Sequence, residues 1–281
     1  MKKRLPTLIL AIIFLLGAGI FTYPVISEYW NHLHQSEAVA AYQETVDEIT
    51  DEENKQVWKD VKAYNETIQE NTFIYDTSSQ EEKNLRGTEY WSVLNVNDNG
   101  IMGYLYIPKA DITLPIYHGT SESVLQIGAG HMYGTSLPIG GKGTHCVIAG
   151  HRGLPSAKLF TDIDQLEKGD VFYLYVLDQI LTYEVDQISD MIKKDDTERL
   201  TQLMQQVDGK DYVTLFTCTP YGINSHRLLI RGHRIETSEA KLLFGQTSVE
   251  FIPIIPFMVT ILVLLLILIR ISAKIPGKRR E

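Results

Sequence analysis

The sequence predicts a mainly β domain, a small barrel or sandwich, placed between two membrane-spanning helices. From residue 100 onward, short runs of β-branched and aromatic residues alternate with glycine and proline, which is typical of antiparallel sheets. Long apolar runs lie near both ends of the 281-residue chain, at residues 5–23 and 252–269. Each run is long enough to cross a bilayer as a helix.

The β-rich part is predicted to consist of short strands with two inserted helices. Residues 158–166 and 197–207 are predicted as short helices inserted between strands. Seven segments are predicted as strands, namely 102–107, 112–116, 145–148, 171–176, 181–185, 213–217 and 227–231.

The segment before the β-rich part favours helices. Apolar residues recur at three- and four-residue spacing over 39–49 and again over 57–68. This predicts two amphipathic helices joined near residues 51–53. The pattern leaves open whether they pack on a barrel face or form a membrane-proximal stalk. Residues 69–90 lose the periodicity and are predicted as a loop.

The first apolar run has two possible interpretations. It follows Met1-Lys2-Lys3-Arg4, so a retained signal anchor competes with a cleaved signal peptide. The anchor is favoured because the run exceeds a usual signal-peptide core and the small residues at 17–19 form a weak cleavage site. Basic residues lie outside both runs, which predicts cytoplasmic termini and an extracellular middle.

Charge is divided unevenly along the chain. Of 26 basic residues, eight flank the apolar runs, whereas only one of 35 acidic residues lies there. The middle of the chain is therefore strongly acidic, which argues against nucleic-acid binding. An acidic surface could attract a lysine-presenting partner, or it could simply keep the domain soluble.

Three side chains near predicted strand ends form a candidate catalytic set. Cys218 ends the strand 213–217, His151 follows the strand 145–148, and Arg227 begins the strand 227–231. A thiol, an imidazole and a guanidinium can serve as nucleophile, proton carrier and oxyanion stabiliser in acyl transfer. Taken alone, a single cysteine is more often a small buried hydrophobic residue.

The chain has two cysteines, which in an exported domain raises the question of a disulfide. Such a bond would disable Cys218 as a nucleophile. Cys146 lies five residues before His151 in an extended segment, about 16 Å away along a strand. Cys146 is therefore predicted to be a buried core thiol. The eight histidines are scattered, and neither a metal nor another cofactor is predicted.

The motifs resemble those of one family. They are Thr-Leu-Phe-Thr-Cys at 214–218 with Arg227 downstream, Gly-His-Arg-Gly at 150–153, Ile-Pro-Lys at 107–109, Leu-Pro-Ile-Tyr-His-Gly-Thr at 114–120, Gly-Ala-Gly-His at 128–131 and Gly-Thr-Ser-Leu-Pro at 134–138. Together they cover roughly residues 100–235, and they resemble the sortases of Gram-positive bacteria, most of all the class C sortases that polymerise pilins.

The resemblance implies an eight-stranded sortase β-barrel and a transpeptidase reaction. Cys218 would attack an LPXTG-like sorting signal between Thr and Gly, with His151 carrying the proton and Arg227 holding the oxyanion. The acceptor would be a pilin lysine. Three alternatives stay open: cell-wall precursor as the acceptor of a housekeeping-type sortase, water as in a cysteine protease, and a non-enzymatic membrane-tethered pilus-base scaffold.

Class C sortases carry a lid with an Asp-Pro-aromatic motif over the active site. The corresponding stretch here is Asp76-Thr77-Ser78, which keeps the aspartate but lacks the proline and the aromatic residue. The lid is therefore predicted to be mobile or absent, unless Phe73 or Tyr75 substitutes. An ordinary solvated linker is the alternative.

The predicted organisation has eight segments and places the enzyme in the cell membrane with its catalytic domain outside. They are a basic cytoplasmic end (1–4), a signal anchor (5–23), a helical membrane-proximal segment (24–68), a lid-like loop (69–90), a catalytic barrel (91–238), a linker (239–251), a second span (252–269) and a basic cytoplasmic tail (270–281).

Overall fold

The structure is a computed structural model, and it describes residues 5–68, 85–237 and 270. Within these residues eight strands close into a barrel. They are β1 (Ile101–Ile107), β2 (Ile112–His118), β3 (Ala129–His131), β4 (Thr144–Ala149), β5 (Val171–Val176), β6 (Gln179–Lys193), β7 (Asp211–Thr219) and β8 (His226–Ile235). The order around the barrel is β1-β2-β3-β4-β7-β8-β6-β5. This confirms the predicted mainly β fold and the eight-stranded barrel.

The parallel pair of β4 and β7 decides where the chain segments after these strands meet. β4 and β7 run parallel, with Thr144 opposite Asp211 and Ala149 opposite Phe216. The other parallel pair is β2 and β3, and the remaining described pairs are antiparallel. Parallel neighbours end at the same edge of a sheet. The chain leaving β4 and the chain leaving β7 therefore meet at one end of the barrel.

The barrel interior is filled by aliphatic side chains. Leu105, Ile116, Ile148, Leu215 and Ile230 are 0% exposed and belong to one hydrophobic cluster. They come from five different strands, so the cluster ties the whole barrel together. Burying each such side chain contributes about 1.5–3 kcal/mol relative to leaving it in water.

Five α-helices accompany the described strands. They are α1 (Leu5–Glu48), α2 (Asp51–Thr67), α3 (Glu89–Ser92), α4 (Glu122–Leu125) and α5 (Thr197–Met204). Thr50 and Glu53 form a capping box at the start of α2, with each side chain bonded to the other residue's backbone N–H. This motif starts the second helix at the join predicted from the sequence.

The two N-terminal helices pack on the barrel, which decides between the two predicted arrangements. Tyr42 on α1 is 1% exposed; its hydroxyl donates to the Met102 carbonyl at 3.1 Å and accepts from the Leu177 N–H at 2.9 Å. Val61 on α2 is 0% exposed, and the Asn65 carboxamide bonds both backbone groups of Leu137. Buried side chains and paired backbone groups therefore attach both helices.

The structure differs from the predicted elements in several places. The short helices α3 and α4 were not predicted, and α3 begins at Glu89, inside the predicted loop 69–90. β3 was not predicted, because its Ala-Gly-His sequence lacks β-branched residues. β6 extends to Lys193, well past the predicted end, through two register irregularities in its pairing with β8. The helix predicted over 158–166 is wrong: only a 3-10 turn forms, at Ile163–Gln165. Leu159 has φ of +43°, and this left-handed conformation interrupts a right-handed helix.

The chain divides into two compact units, 1–30 with 243–281 and 31–242. In the first unit, the described residues 5–30 are helical. Within the described residues, one helix is long and apolar enough to cross a membrane by length and composition, with a window of mean hydropathy 1.5 in the range Ile12–Glu48. The second predicted span, 252–269, lies outside the described residues.

Candidate active site

Cys218 and Arg227 face each other across two neighbouring strands. Cys218 on β7 is the direct partner of Arg227 on β8 in their antiparallel pairing. Side chains at directly opposite positions lie on the same face, with Cβ atoms about 4.5–5.5 Å apart. Cys218 is a free, partly exposed thiol. The strand register alone therefore brings these two predicted site residues together.

His151 reaches the same place through the parallel pair. Beyond the last paired residues of β4 and β7, the Gly150 N–H donates to the Phe216 carbonyl at 3.0 Å. The Thr217 hydroxyl donates to the Gly150 carbonyl at 2.7 Å. These bonds continue the register one residue past the end of β4, so the chain enters His151 at the end of the barrel where β7 carries Cys218.

Gly150 is needed for this approach. A Cβ at this position would lie 2.6 Å from the ring of Phe160, a residue that is 0% exposed. The Phe160 N–H in turn donates to the His151 carbonyl at 3.0 Å. The Gly-His pair is therefore held from both sides, by β7 and by the loop that carries Phe160.

The Arg227 guanidinium is only partly engaged. One terminal nitrogen donates to the carbonyls of Asn224 at 3.3 Å and His226 at 3.1 Å. The guanidinium also lies 6.0 Å from the centre of the Phe216 ring. Among the described residues, buried Arg227 Nε has no hydrogen-bond partner. A guanidinium beside a nucleophile suits a substrate oxygen that gains negative charge.

Arg152, next to His151, has a structural position. Its guanidinium donates to the Thr161 carbonyl at 3.1 Å and the Thr219 hydroxyl at 3.3 Å, and it forms an ion pair with Asp164. Only 9% of its side chain is exposed. Arg152 therefore ties the end of β7 to the loop after β4.

The structure adds a residue that the sequence analysis missed. Glu122, the first residue of α4, has its Oε2 atom 3.1 Å from Nε2 of His151. The two residues are far apart in sequence, and no motif links them. A carboxylate in a helix of four residues has no distinguishing pattern, so only the folded chain could reveal this pair.

The other cysteine and the nearby histidines have structural positions. Cys146 is 2% exposed and free, as predicted, and burial raises the pKa of its thiol. His145 is buried between the Gln205 carbonyl and the Thr214 hydroxyl, both at 2.7 Å. Burial lowers the pKa of His145 to about 4, so its ring is neutral at pH 7.

His131 is a second buried neutral histidine. It is 0% exposed, its Nδ1 atom lies 2.8 Å from the Tyr90 hydroxyl, and its Nε2 atom lies 2.9 Å from the Ser136 carbonyl. Burial lowers the pKa of His131 to about 3. Its bonds to α3 and to the turn after β3 give it a packing role.

The predicted lid residue Asp76 lies outside the described residues. The chain on either side of the undescribed segment 69–84 is anchored by aromatic contacts. The Tyr64 and Tyr90 rings lie 6.2 Å apart, and the Tyr90 and Tyr133 rings lie 5.0 Å apart. The described residues Tyr64, Tyr90 and Tyr133 therefore form one aromatic cluster.

Comparison with known proteins agrees with this geometry. The family model of the sortase domain matches residues 105–235. Sortase C1 of Streptococcus agalactiae is 45% identical, with a TM-score of 0.63, over 72% of this chain and 100% of that one. Sortase C of Streptococcus pneumoniae is 44% identical, also with a TM-score of 0.63, over 72% and 97% of the two chains.

A curated relative covers more of the sequence at lower identity. Sortase A of Bacillus anthracis is 25% identical over 240 residues, which is 85% of this chain and 99% of that protein. The family match and the barrel fold indicate the same family, and solved sortases are matched over their whole length. The chain therefore belongs to the sortase family of cysteine transpeptidases.

Proposed function

We propose that this protein is a membrane-anchored sortase that polymerises pilin subunits. It cleaves an LPXTG-like sorting signal between Thr and Gly and transfers the acyl group to a lysine amine of another pilin. The observation that carries the chemistry is the register that gathers Cys218, Arg227 and His151 at one end of the barrel. Membership of the family argues against a non-enzymatic scaffold.

The three side chains divide the reaction between them. The Cys218 thiolate attacks the threonine carbonyl carbon, and Arg227 donates hydrogen bonds to the oxyanion that forms. His151 gives a proton to the glycine amine as the C–N bond breaks, which leaves a thioester. The lysine amine then attacks the thioester, loses its proton to His151 and releases the Cys218 thiolate, so an isopeptide bond replaces the peptide bond.

The choice of a pilin lysine as acceptor rests on similarity. The S. agalactiae and S. pneumoniae proteins are sortases C, and the S. pneumoniae structure is described in terms of pilin substrate specificity. The strongly acidic middle of the chain favours an approaching lysine-bearing partner through long-range attraction. The sortase A match keeps cell-wall precursor as the alternative acceptor.

The membrane arrangement is part of the proposal. Side chains at residues 9–10 and 12–26 are largely exposed and apolar, which fits a surface surrounded by lipid. The basic clusters outside the two apolar runs favour cytoplasmic termini and a barrel outside the cell. The domain boundaries predicted above, the second span at 252–269 and a lid role for Asp76 remain predictions within this proposal.

The test uses the full chain in detergent micelles, mixed with a major pilin that carries an LPXTG-like tail. Denaturing gels of wild type and Cys218→Ala are compared. A ladder of boiling-resistant multimers with wild type alone supports pilin polymerisation. Tail cleavage without a ladder supports cell-wall anchoring if an added peptidoglycan-type amine becomes joined to the cleaved pilin. If the Cys218→Ala variant still cleaves the tail, Cys218 is not the nucleophile.

A further inference from the structure

We propose that Glu122 is a positioning residue for His151, holding the imidazole by its Nε2–H and stabilising its protonated form. The inference rests on the proposed function, because it concerns the proton carrier of that reaction. Its first support is geometric. Glu122 Oε2 lies 3.1 Å from His151 Nε2, with 24% of the histidine side chain and 67% of the glutamate side chain exposed.

The carboxylate is itself held in place. Its second oxygen, Oε1, accepts a hydrogen bond at 3.0 Å from the Gln126 carboxamide, one helical turn along the chain. The Gln126 amide, and after it His151, keep the pKa of Glu122 below its ordinary value. The group is therefore an anion near neutral pH, with one oxygen directed at each partner.

The short helix α4, which carries Glu122, packs closely on the barrel. A Cβ at Gly130 of β3 would lie 2.3 Å from the Gly119 carbonyl and 3.2 Å from side-chain atoms of Val124 and Leu125. Only glycine permits this approach of α4 to β3. Two residues after α4, the Ile127 carbonyl accepts a hydrogen bond at 3.1 Å from the Gln35 carboxamide of α1. Glu122 thus projects from a supported turn.

The charges around His151 explain why such a partner is useful. Arg227 on β8 is a cation directly opposite Cys218 in the strand pairing. Arg152, adjacent in sequence, is already paired with Asp164. Cys218 on β7 supplies a negative charge only as the thiolate. Glu122 on α4 is therefore the carboxylate in contact with the ring, and its charge favours the protonated imidazole.

The contact also selects a ring nitrogen. Because Nε2 keeps its proton toward Glu122, Nδ1 is left to give a proton to the leaving amine and to take one from the incoming amine. The carboxylate does not exchange a proton in either step. Its effect is to orient the ring and to raise the population of the thiolate–imidazolium pair, as carboxylates do for histidines in other enzymes.

The test compares Glu122→Gln, Glu122→Asp and a matched control, Glu198→Gln, in the full chain in detergent micelles. Glu198 on α5 also accepts from a glutamine four residues later, Gln202, at 3.4 Å, and it is exposed. Four quantities are measured: kcat and KM for an LPXTG-like peptide with an amine acceptor, the rate of Cys218 alkylation by iodoacetamide, and the melting temperature.

For Glu122→Gln we expect kcat and the alkylation rate each to fall about fivefold, with KM and melting temperature unchanged, because the pair is partly solvated. Glu122→Asp should recover part of both rates. The difference between wild type and Glu122→Gln should shrink from low salt to about 1 M salt, where exposed charges are screened. Glu198→Gln should match wild type throughout.

Other outcomes overturn the inference in distinguishable ways. Wild-type rates in Glu122→Gln refute the positioning role while leaving the transpeptidase intact. A change in KM alone assigns Glu122 to substrate binding instead. An equal loss in Glu198→Gln shows a nonspecific effect of surface charge. A wild-type enzyme with neither peptide transfer nor reactive Cys218 overturns the proposed function and this inference together.

Discussion

Cys218 and Arg227 are direct partners in the antiparallel pair of β7 and β8, and they lie beside the end of β4, from which His151 emerges. The nine-residue separation of the cysteine and the arginine in sequence is spanned by a turn between two paired strands. A residue pair at this position cannot be separated without breaking the ladder. The relative placement of nucleophile and oxyanion donor is therefore a property of the sheet.

Replacing Arg227 with lysine should not preserve activity. Lysine keeps the charge but loses the planar set of donors, including the buried Nε that has no partner among the described residues. We expect kcat/KM for peptide transfer to fall about 100-fold, as for loss of an oxyanion-hole donor. Steady-state kinetics measures this. Arg231→Lys, whose ion pair with Asp186 lies away from Cys218, is the control; equal losses would contradict a special role for Arg227.

The two cysteines should differ sharply in reactivity. Cys218 is partly exposed, whereas Cys146 is 2% exposed and burial raises the pKa of its thiol. Iodoacetamide should therefore add one label to the native protein and two to the denatured protein, as counted by mass spectrometry. The native Cys218→Ala protein should take no label. Labelling of native Cys146 would show that the barrel interior opens to solvent.

Acid should destabilise the barrel through its buried histidines. The folded-state pKa of His145 is about 4 and that of His131 about 3, both below the ordinary value of 6.5. The unfolded chain binds these protons first, so the stability is complete above pH 6.5 and falls as the pH drops toward 4. Each histidine contributes a slope of about 1.4 kcal/mol per pH unit in that window.

Urea denaturation at several pH values measures this slope in the full chain. His145→Gln should lower the pH dependence of the free energy of unfolding between pH 6 and pH 4.5 by the contribution of one histidine, about 1.4 kcal/mol per pH unit. His32→Gln, at an exposed position on α1, should leave it unchanged. A slope that is the same in His145→Gln and wild type would show that His145 takes up its proton equally in both states.

The Tyr42 hydroxyl on α1 bonds two backbone groups of the barrel domain. Tyr42→Phe removes the acceptor of the Leu177 N–H and the donor to the Met102 carbonyl, both within a buried contact. We expect a loss of about 1–3 kcal/mol in the free energy of unfolding, because buried backbone groups lose their partners. Tyr23→Phe, at an exposed ring, should change nothing measurable. An unaffected Tyr42→Phe would mean that water replaces the hydroxyl.

Gly130 should be intolerant of a side chain. An added Cβ would lie 2.3 Å from the Gly119 carbonyl, so Gly130→Ala must displace backbone and is expected to lower stability by about 3 kcal/mol. Gly143→Ala is the control: it has φ of +80° but open space, and should lose only about 1 kcal/mol. Thermal unfolding compares the two, and equal losses would show that the close approach of α4 to β3 is unimportant.

Local patterns determined much of the architecture. Dense β-branched and aromatic runs predicted seven of the eight strands, and three- and four-residue spacing predicted the helices that precede them. The exception, β3, has three residues without β propensity and forms because β2 and β4 offer paired backbone on both sides. The failed helix at 158–166 has the same origin, since contacts with the His151 carbonyl and a left-handed Leu159 outweigh its local pattern.

By itself, the sequence determined the family resemblance, the candidate residues Cys218, His151 and Arg227, and the buried state of Cys146, because these depend on motifs and on hydrophobic patterning. Only the tertiary structure decided that the N-terminal helices pack on the barrel and that Glu122 contacts His151. Both depend on chain segments far apart in sequence. Barrel closure and strand register bring such segments together, and neither can be read from local spacing.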